Sequence, residues 1–352
     1  MKIDHVHFYT RNAARTRDWF IQNVGFKAIG NCINQHTHTE IIVLNSCFLV
    51  FSSPLTSASP VAEYLNSHPC GVVDIAFRVK DLAAIINRSR CLGIKLLQNI
   101  NLSQSSQGSF KSAKIAGWND LQHTLIEVTG NYDYCLPNLQ IERYATASHF
   151  QSHITNIDHV VLNVAQGKLN LAVKLYQALF KFQVQQSFDI QTPKSGLTSQ
   201  ALIDDAGEVQ FNINEPTSAN SQIQEFIDLN GGSGIQHLAL RSQNLIADVA
   251  RMQGQLPFLS VPQAYYSKLQ TSLPLSVEEQ QAIAEQQILV DSDRHNPQCL
   301  LMQIFTQPIF EQPTFFLEFI ERRQEAQGFG QGNFKTLFEA VEREQEKRIS
   351  GV

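Results

Sequence analysis

The tetrapeptide Ile-Asp-His-Val occurs twice, at residues 3–6 and 157–160, 154 positions apart. Each copy lies in an apolar run that reads as a buried strand, "KIDHVHFYT" (2–10) and "NIDHVVLNV" (156–164). Each is followed by an amphipathic helical pattern, "ARTRDWFIQNVGFKAIG" and then "KLNLAVKLYQALFKFQVQ". A second pair of strings agrees as well. "GVVDIAFRVKDLAAIINR" (71–88) and "GIQHLALRSQNLIADVAR" (234–251) both read as glycine, short apolar strand, polar break and amphipathic helix. A repeat on this scale predicts two related halves built from βαβββ units, an α+β fold.

The halves are expected at 1–150 and 151–352, with the seam near 143–155 in the polar "RYATASHFQSHIT". A second irregular stretch, 267–287, interrupts the second half. With 43% hydrophobic and 17% charged residues, the chain suits a globular protein with substantial cores. A net charge of −5 with scattered basic residues gives no electrostatic footprint for nucleic acid. No apolar run reaches membrane-spanning length, and the N-terminus enters a strand pattern directly, so a cytoplasmic protein is expected. Six cysteines stand singly with no CxxC pair, which predicts reduced thiols and no cysteine-built zinc site. Near the C-terminus, "GNFKTLFEAVEREQEKR" sets Phe334, Leu337, Phe338 and Val341 on one helical face behind the glycine-rich "GFGQGN".

Chemistry concentrates in the second half. Strict strand alternation puts His159 on a face with Ile157 and Val161, and His237 on a face with Ile235 and Ala239. Glu318 interrupts an apolar run, Phe315, Phe316, Leu317, Phe319 and Ile320, where an uncompensated carboxylate would cost several kcal/mol. Two neutral imidazoles and one carboxylate on three separate strands make the ligand set of a mononuclear non-haem iron(II) facial triad. Taken singly, each histidine also reads as a hydrogen-bonded structural residue, and Glu318 as half of a buried pair with an arginine. The first half matches His5 to His159 and Asp74 to His237, with Glu127 on a strand like that of Glu318. It therefore reads as a degenerate copy without a metal, in which His5, His7 and His123 are structural.

Several strings carry a family resemblance: "NEP" (214–216), "SQIQEF" (221–226), "GIQHLAL" (234–240), "QIFTQP" (303–308), "PTFFLEFIERR" (313–323) and "GFGQGNFKTLFEAVEREQ" (328–345). Together they resemble 4-hydroxyphenylpyruvate dioxygenase, of the vicinal-oxygen-chelate superfamily, strongly across 156–345 and at the level of fold across 1–150. The resemblance implies paired βαβββ modules that curl each mixed sheet into an open barrel, with the C-terminal helix as a lid. It implies one Fe(II) per subunit on His159, His237 and Glu318, and a homodimer. Polar pocket positions then fall on Ser199, Asn214, Gln222, Gln236 and Gln303. The aromatic clamp falls on Phe305, Phe316 and Phe334, and Phe329, Leu337 and Phe338 belong to the closing segment. The implied reaction converts 4-hydroxyphenylpyruvate and O2 to homogentisate and CO2, a step of tyrosine catabolism. Two departures stand out: Asn212 replaces a usual proline, and the first half lacks several familiar strings. The competing readings are a 4-hydroxymandelate synthase with the same triad and substrate, and a non-catalytic ligand-binding protein of the same fold. A glyoxalase-type enzyme would want four ligands drawn from both halves, which Asp74 argues against.

Overall fold

The computed structural model describes residues 1–105, 108–130, 141–144, 152–269, 273–292 and 296–350. In the first half, β1 (Lys2–Tyr9), α1 (Ala13–Val24), β2 (Lys27–Ile33), β3 (Thr37–Leu44) and β4 (Cys47–Pro54) form one βαβββ unit. After the short α2 (Pro60–Leu65), a second unit runs through β5 (Gly71–Arg78), α3 (Leu82–Cys91), β6 (Leu96–Ser105), β7 (Gly108–Ala116) and β8 (Gln122–Gly130). The two-residue strand β9 (Glu142–Arg143) pairs on the edge of β2.

The second half repeats the plan. Its first unit is β10 (Ile154–Asn163), α4 (Leu169–Phe180), β11 (Gln183–Gln191), β12 (Gly196–Ile203) and β13 (Gln210–Pro216). After α5 (Gln222–Asn230) come β14 (Gly234–Ser242), α6 (Leu245–Met252), α7 (Gln263–Leu269) and α8 (Val277–Glu285). The unit closes with β15 (Leu289–Ser292), β16 (Leu300–Phe305) and β17 (Phe316–Arg322), followed by the C-terminal helix α9 (Gln331–Ser350). The expected seam lies largely outside the described residues, as do the 150/151 boundary, residues 270–272 and Cys135; Cys47, Cys70, Cys91 and Cys299 are free thiols.

Each half is one mixed sheet. The strand orders are β6-β7-β8-β5-β1-β4-β3-β2-β9 and β11-β12-β13-β10-β14-β17-β16-β15. In both, the first strands of the two units pair antiparallel at the centre (β1 with β5, β10 with β14), and each takes its own fourth strand as a parallel neighbour. Helices form where the sequence supplies caps. Asn12 accepts the Arg15 N–H at the start of α1, and Gly25, at φ +96°, closes its end with an N–H to the Phe20 carbonyl. The buried face of that helix is Ala13, Phe20 and Val24. Packing is continuous across the halves: Phe8 meets Phe315 edge to face at 5.1 Å, and His123 of β8 hydrogen-bonds the Tyr176 hydroxyl of α4 at 3.0 Å.

The repeated motif turns out to encode more than a strand. Register slips between Ile157 and His159 on β10, and between Ile3 and His5 on β1. A bulge at each aspartate breaks the alternation, so that Ile157 packs in the core with Val160 and Leu162 rather than beside His159. A second slip puts an extra residue, Gln236, between Ile235 and His237 in the pairing with β10, and Val73 occupies the same position in β5. Ile235 accordingly joins the core, which corrects its placement on the His237 face. Strict alternation fails at both histidines for one physical reason: two residues of one strand face one residue of its partner.

Candidate metal centre

Three adjacent central strands bring the candidate ligands together. Ala239 of β14 is directly opposite His159 of β10 on one side and Glu318 of β17 on the other. Its methyl group leaves the space between them open. His159 Nε2 lies 3.1 Å and His237 Nε2 3.4 Å from the same Glu318 Oε2. One ligand atom from each residue falls within 4.8 Å of the other two, and all three residues are buried. Donor atoms about 2.1 Å from one cation and at right angles to each other stand about 3 Å apart. The two imidazole–carboxylate separations fit that edge length.

Charge favours the same conclusion. Burial alone would raise the Glu318 carboxyl, but the His159 charge and hydrogen bonds from both imidazoles outweigh it and hold the group at about 2. Burial disfavours the imidazolium of His159, yet Glu318 and the Asp158 hydrogen bond raise it to about 9. His237 is pushed below its ordinary value, chiefly by burial, with the neighbouring His159 charge adding to the effect against Glu318. A fully buried carboxylate thus holds a proton on one imidazole and leaves the other neutral. A divalent cation supplies the same compensation with both imidazoles neutral.

Polar side chains hold two of the three candidate ligands, His159 and Glu318. Asp158 Oδ1 lies 2.9 Å from His159 Nδ1, and Arg322 grips the same carboxylate through Nε (2.8 Å) and a terminal nitrogen (2.7 Å). Burial would raise Asp158, and the arginine and histidine together hold it well below the usual carboxylate range. Gln303 donates through Nε2 to Glu318 Oε1 (2.9 Å) and to the Phe329 carbonyl (3.1 Å). Its Oε1 accepts from Asn333 Nδ2 at 3.0 Å, and Asn333 Oδ1 accepts from the Tyr265 hydroxyl at 2.9 Å. The first turn of α9 is thereby tied to the carboxylate ligand. Further along that helix, Glu342 accepts from Thr192 Oγ1 at 2.8 Å and from Ser195 Oγ, both in the β11–β12 turn.

The triad opens into a concave pocket lined mostly by apolar and aromatic side chains with a few polar groups among them, the usual make-up of a small-molecule site. Ser199, Asn214, Gln222, Gln236, Gln303, Phe305, Phe316, Phe329, Leu337 and Phe338 all line it, so these expected positions share one space with the triad. Phe334 lies on α9, and its side chain falls outside the described residues. Phe316 stacks on His237 with centroids 4.6 Å apart, and Phe329 meets His159 edge-on at 5.1 Å. Asn214 gives its amide to Asn163 Oδ1 at 3.2 Å, opposite Ser199 in the β12–β13 ladder. The walls also include Val161, Ile190, Leu197, Asn212, Ile223 and Val341. Of these, Val161, Asn212 and Val341 are singled out by the sequence, whereas Ile190, Leu197 and Ile223 carry no signal of their own there. Asp158 had a signal, its repetition beside the histidine; Asn333, Tyr265 and Glu342 had none short of the tertiary structure.

The first half holds a different arrangement at the equivalent place. Asp4 Oδ1 lies 2.8 Å from His5 Nδ1, and Arg78 grips Asp4, as in the second half. Asp74 instead pairs with the Lys114 ammonium at 3.0 Å and accepts from Thr124 N–H at 2.8 Å and from its hydroxyl. The registers align Asp74 with His237 and, two residues on, Thr124 with Glu318. Glu127 is on the strand equivalent to that of Glu318, as expected, but its counterpart there is Glu321. Both cap helices, Glu127 taking the Leu82 N–H and Glu321 the Leu245 N–H. His7 contacts Ser52 Oγ at 2.8 Å, and burial together with nearby Lys114 lowers it to about 3.

A family model described as Glyoxalase/Bleomycin resistance protein/Dioxygenase superfamily matches residues 156–279. An uncharacterized protein of Synechocystis is 34% identical, over 97% of each chain. The 4-hydroxyphenylpyruvate dioxygenase of Dictyostelium discoideum is 33% identical over 98% of each chain, and that of Caenorhabditis briggsae 33% over 98% of this chain and 92% of its own. Among solved structures, a triple mutant of 4-hydroxymandelate synthase from Streptomyces coelicolor superposes with a TM-score of 0.88, at 25% identity over 98% of each chain. No helix among the described residues is long and apolar enough to cross a membrane.

Proposed function

The chain belongs to the 4-hydroxyphenylpyruvate dioxygenase family of the vicinal-oxygen-chelate superfamily, and from that premise we propose that it is an Fe(II)-dependent dioxygenase converting 4-hydroxyphenylpyruvate and O2 to homogentisate and CO2. The observation that carries the reading is the convergence of two imidazoles on one buried carboxylate, at 3.1 and 3.4 Å, in the wall of a cavity lined by Phe305, Phe316 and Phe329. Fe(II) on His159, His237 and Glu318 would supply coordination positions for the 2-oxo acid and O2 and the electrons that activate O2.

The chain's own residues do the remainder. Asp158, anchored by Arg322, keeps a proton on His159 Nδ1 and so presents Nε2 as the ligand atom. Phe305 and Phe316 pack against the substrate ring. Asn214 has committed its N–H to Asn163, which leaves its carbonyl to accept the phenol proton beside the Ser199 hydroxyl and the Gln222 amide. Gln236, raised into the cavity by the bulge, is placed to orient the 2-oxo acid, while Gln303 holds Glu318. Phe329, Leu337 and Phe338 cover the site and keep water from the reactive oxygen species, with α9 as a lid hinged at Gly328 and Gly330 (φ +83° and +77°). On this reading residues 151–352 form the catalytic unit and 1–150 a unit without metal, in a cytoplasmic homodimer.

Benzylic rather than ring hydroxylation is the second reading, favoured by the likeness to 4-hydroxymandelate synthase. Anaerobic reconstitution with Fe(II), then substrate and O2 with chromatographic product identification, separates the two. Homogentisate that disappears in Glu318→Ala is the expected result. Hydroxymandelate would move the reaction to the side chain, and no product from an iron-loaded chain would refute both.

A further inference from the structure

Asn212 is 6% exposed, its amide oxygen is buried, and no described residue hydrogen-bonds to its side chain. A buried amide left unpartnered is costly, and such groups in folded proteins normally find a partner. Asn212 also lines the cavity, so the missing partner can be a ligand. Its place on β13 says which part of the ligand. Val161 is its partner on β10, between His159 and Asn163, and Asn163 is opposite Asn214. Two residues of strand span roughly 6.6 Å, about the length of a phenol ring. Asn212 therefore borders the flank of a ring whose 2-oxo acid end is at the triad and whose hydroxyl reaches Asn214.

Only a group that both donates and accepts satisfies an amide whichever way it turns, and a hydroxyl is the smallest such group. We propose that Asn212 is a specificity-determining residue that hydrogen-bonds a second hydroxyl on the flank of the substrate ring, so that the site takes ring-dihydroxylated aryl 2-oxo acids in preference to the monohydroxylated one. The proposal rests on the aryl 2-oxo acid reading of the same cavity. A site built to pair with a substrate hydroxyl discriminates strongly against the analogue that lacks it, because the site's own polar group is then stranded.

The test is anaerobic calorimetric titration of the full-length, Co(II)-loaded protein with 3,4-dihydroxyphenylpyruvate and with 4-hydroxyphenylpyruvate. The wild type is compared with Asn212→Leu, which keeps the branched shape without the polar atoms, and with Asn212→Ala, which opens space. The expected result is tighter binding of the dihydroxy acid by the wild type and a ratio of the two Kd values that collapses about 10-fold in both variants. A ratio unchanged by either substitution, or tighter wild-type binding of the monohydroxy acid, overturns the proposal. Fe(II)-loaded turnover in parallel separates the two readings: homogentisate formation with an insensitive ratio leaves the dioxygenase standing and removes only the role of Asn212. Failure to bind either acid overturns both.

Discussion

At the level of single residues, the centre depends on a charge that never touches the metal position. Asp158 links His159 to Arg322, and all three side chains are at most 4% exposed. Asp158→Asn removes the carboxylate and strands a buried guanidinium, at a cost of about 3–5 kcal/mol in stability. Loss of the histidine's orienting partner should also weaken metal binding about 10–100-fold. Thermal unfolding and metal titration of the variant read the two effects separately; a Tm loss without weaker metal binding would make Asp158 a purely structural residue. Two of the candidate ligands, Glu318 and His159, were legible in the sequence because a carboxylate in an apolar run and a repeated histidine are both anomalies that need a partner. Asp158 stood in the same quoted string, but its role depends on Arg322, 164 residues away. No local pattern spans that distance.

Among the elements, strands and helices followed hydrophobic period closely, and the errors fall at bulges. Ile157 and Ile235 were expected beside the histidines because alternation was carried through positions where the backbone inserts a residue. Bulges leave no compositional mark of their own. Even so, the inserted residue puts Gln236 next to His237 on the cavity side, and puts Asp158 within bonding reach of His159. Helix α9 is the element whose position matters most to the site. Its amphipathic face was visible in the sequence, whereas its two polar ties, Asn333 to Gln303 and Glu342 to the β11–β12 turn, were not. Glu342→Gln trades charged hydrogen bonds for neutral ones, a loss of about 1 kcal/mol in helix docking. Amide exchange along α9 should quicken about fivefold while the central strands are unaffected. Equal protection in the variant would mean that apolar contacts alone hold the helix.

The whole molecule is two copies of one plan joined by a continuous core, and its acid sensitivity is expected at the join. His123 packs between Phe77 of its own half and Phe180 and Tyr176 of the other. Burial lowers it to about 4, against the Ile75 carbonyl and Asp74, which favour its charged form. The unfolded chain therefore binds this proton first as pH falls, so its contribution to stability is whole above about 6.5 and is lost toward 4. Between pH 7 and pH 5 that amounts to about 2 kcal/mol. In urea unfolding of the metal-free protein, His123→Gln should lower stability at pH 7 yet lose about 2 kcal/mol less than the wild type on acidification. An identical loss would show that the fold admits the proton. In the first half, Lys114→Met leaves Asp74 buried with hydroxyl and amide partners only, and should cost about 3–5 kcal/mol without changing a metal content of one equivalent per chain. Elemental analysis showing two equivalents in the wild type would refute the assignment of that half. Both bulges, the Asp4–His5 pair and the register of the central strands survive there. At the ligand positions and beside them, that pocket differs from its twin in Asp74 for His237, Thr124 for Glu318, and Lys114, whose ladder partner Thr124 makes it the counterpart of Phe305. On the proposed reading the first half is a scaffold that keeps the strand register without the ligand set, and Asp74→His, Thr124→Glu and Lys114→Phe together are the first step toward a chain that holds two metals.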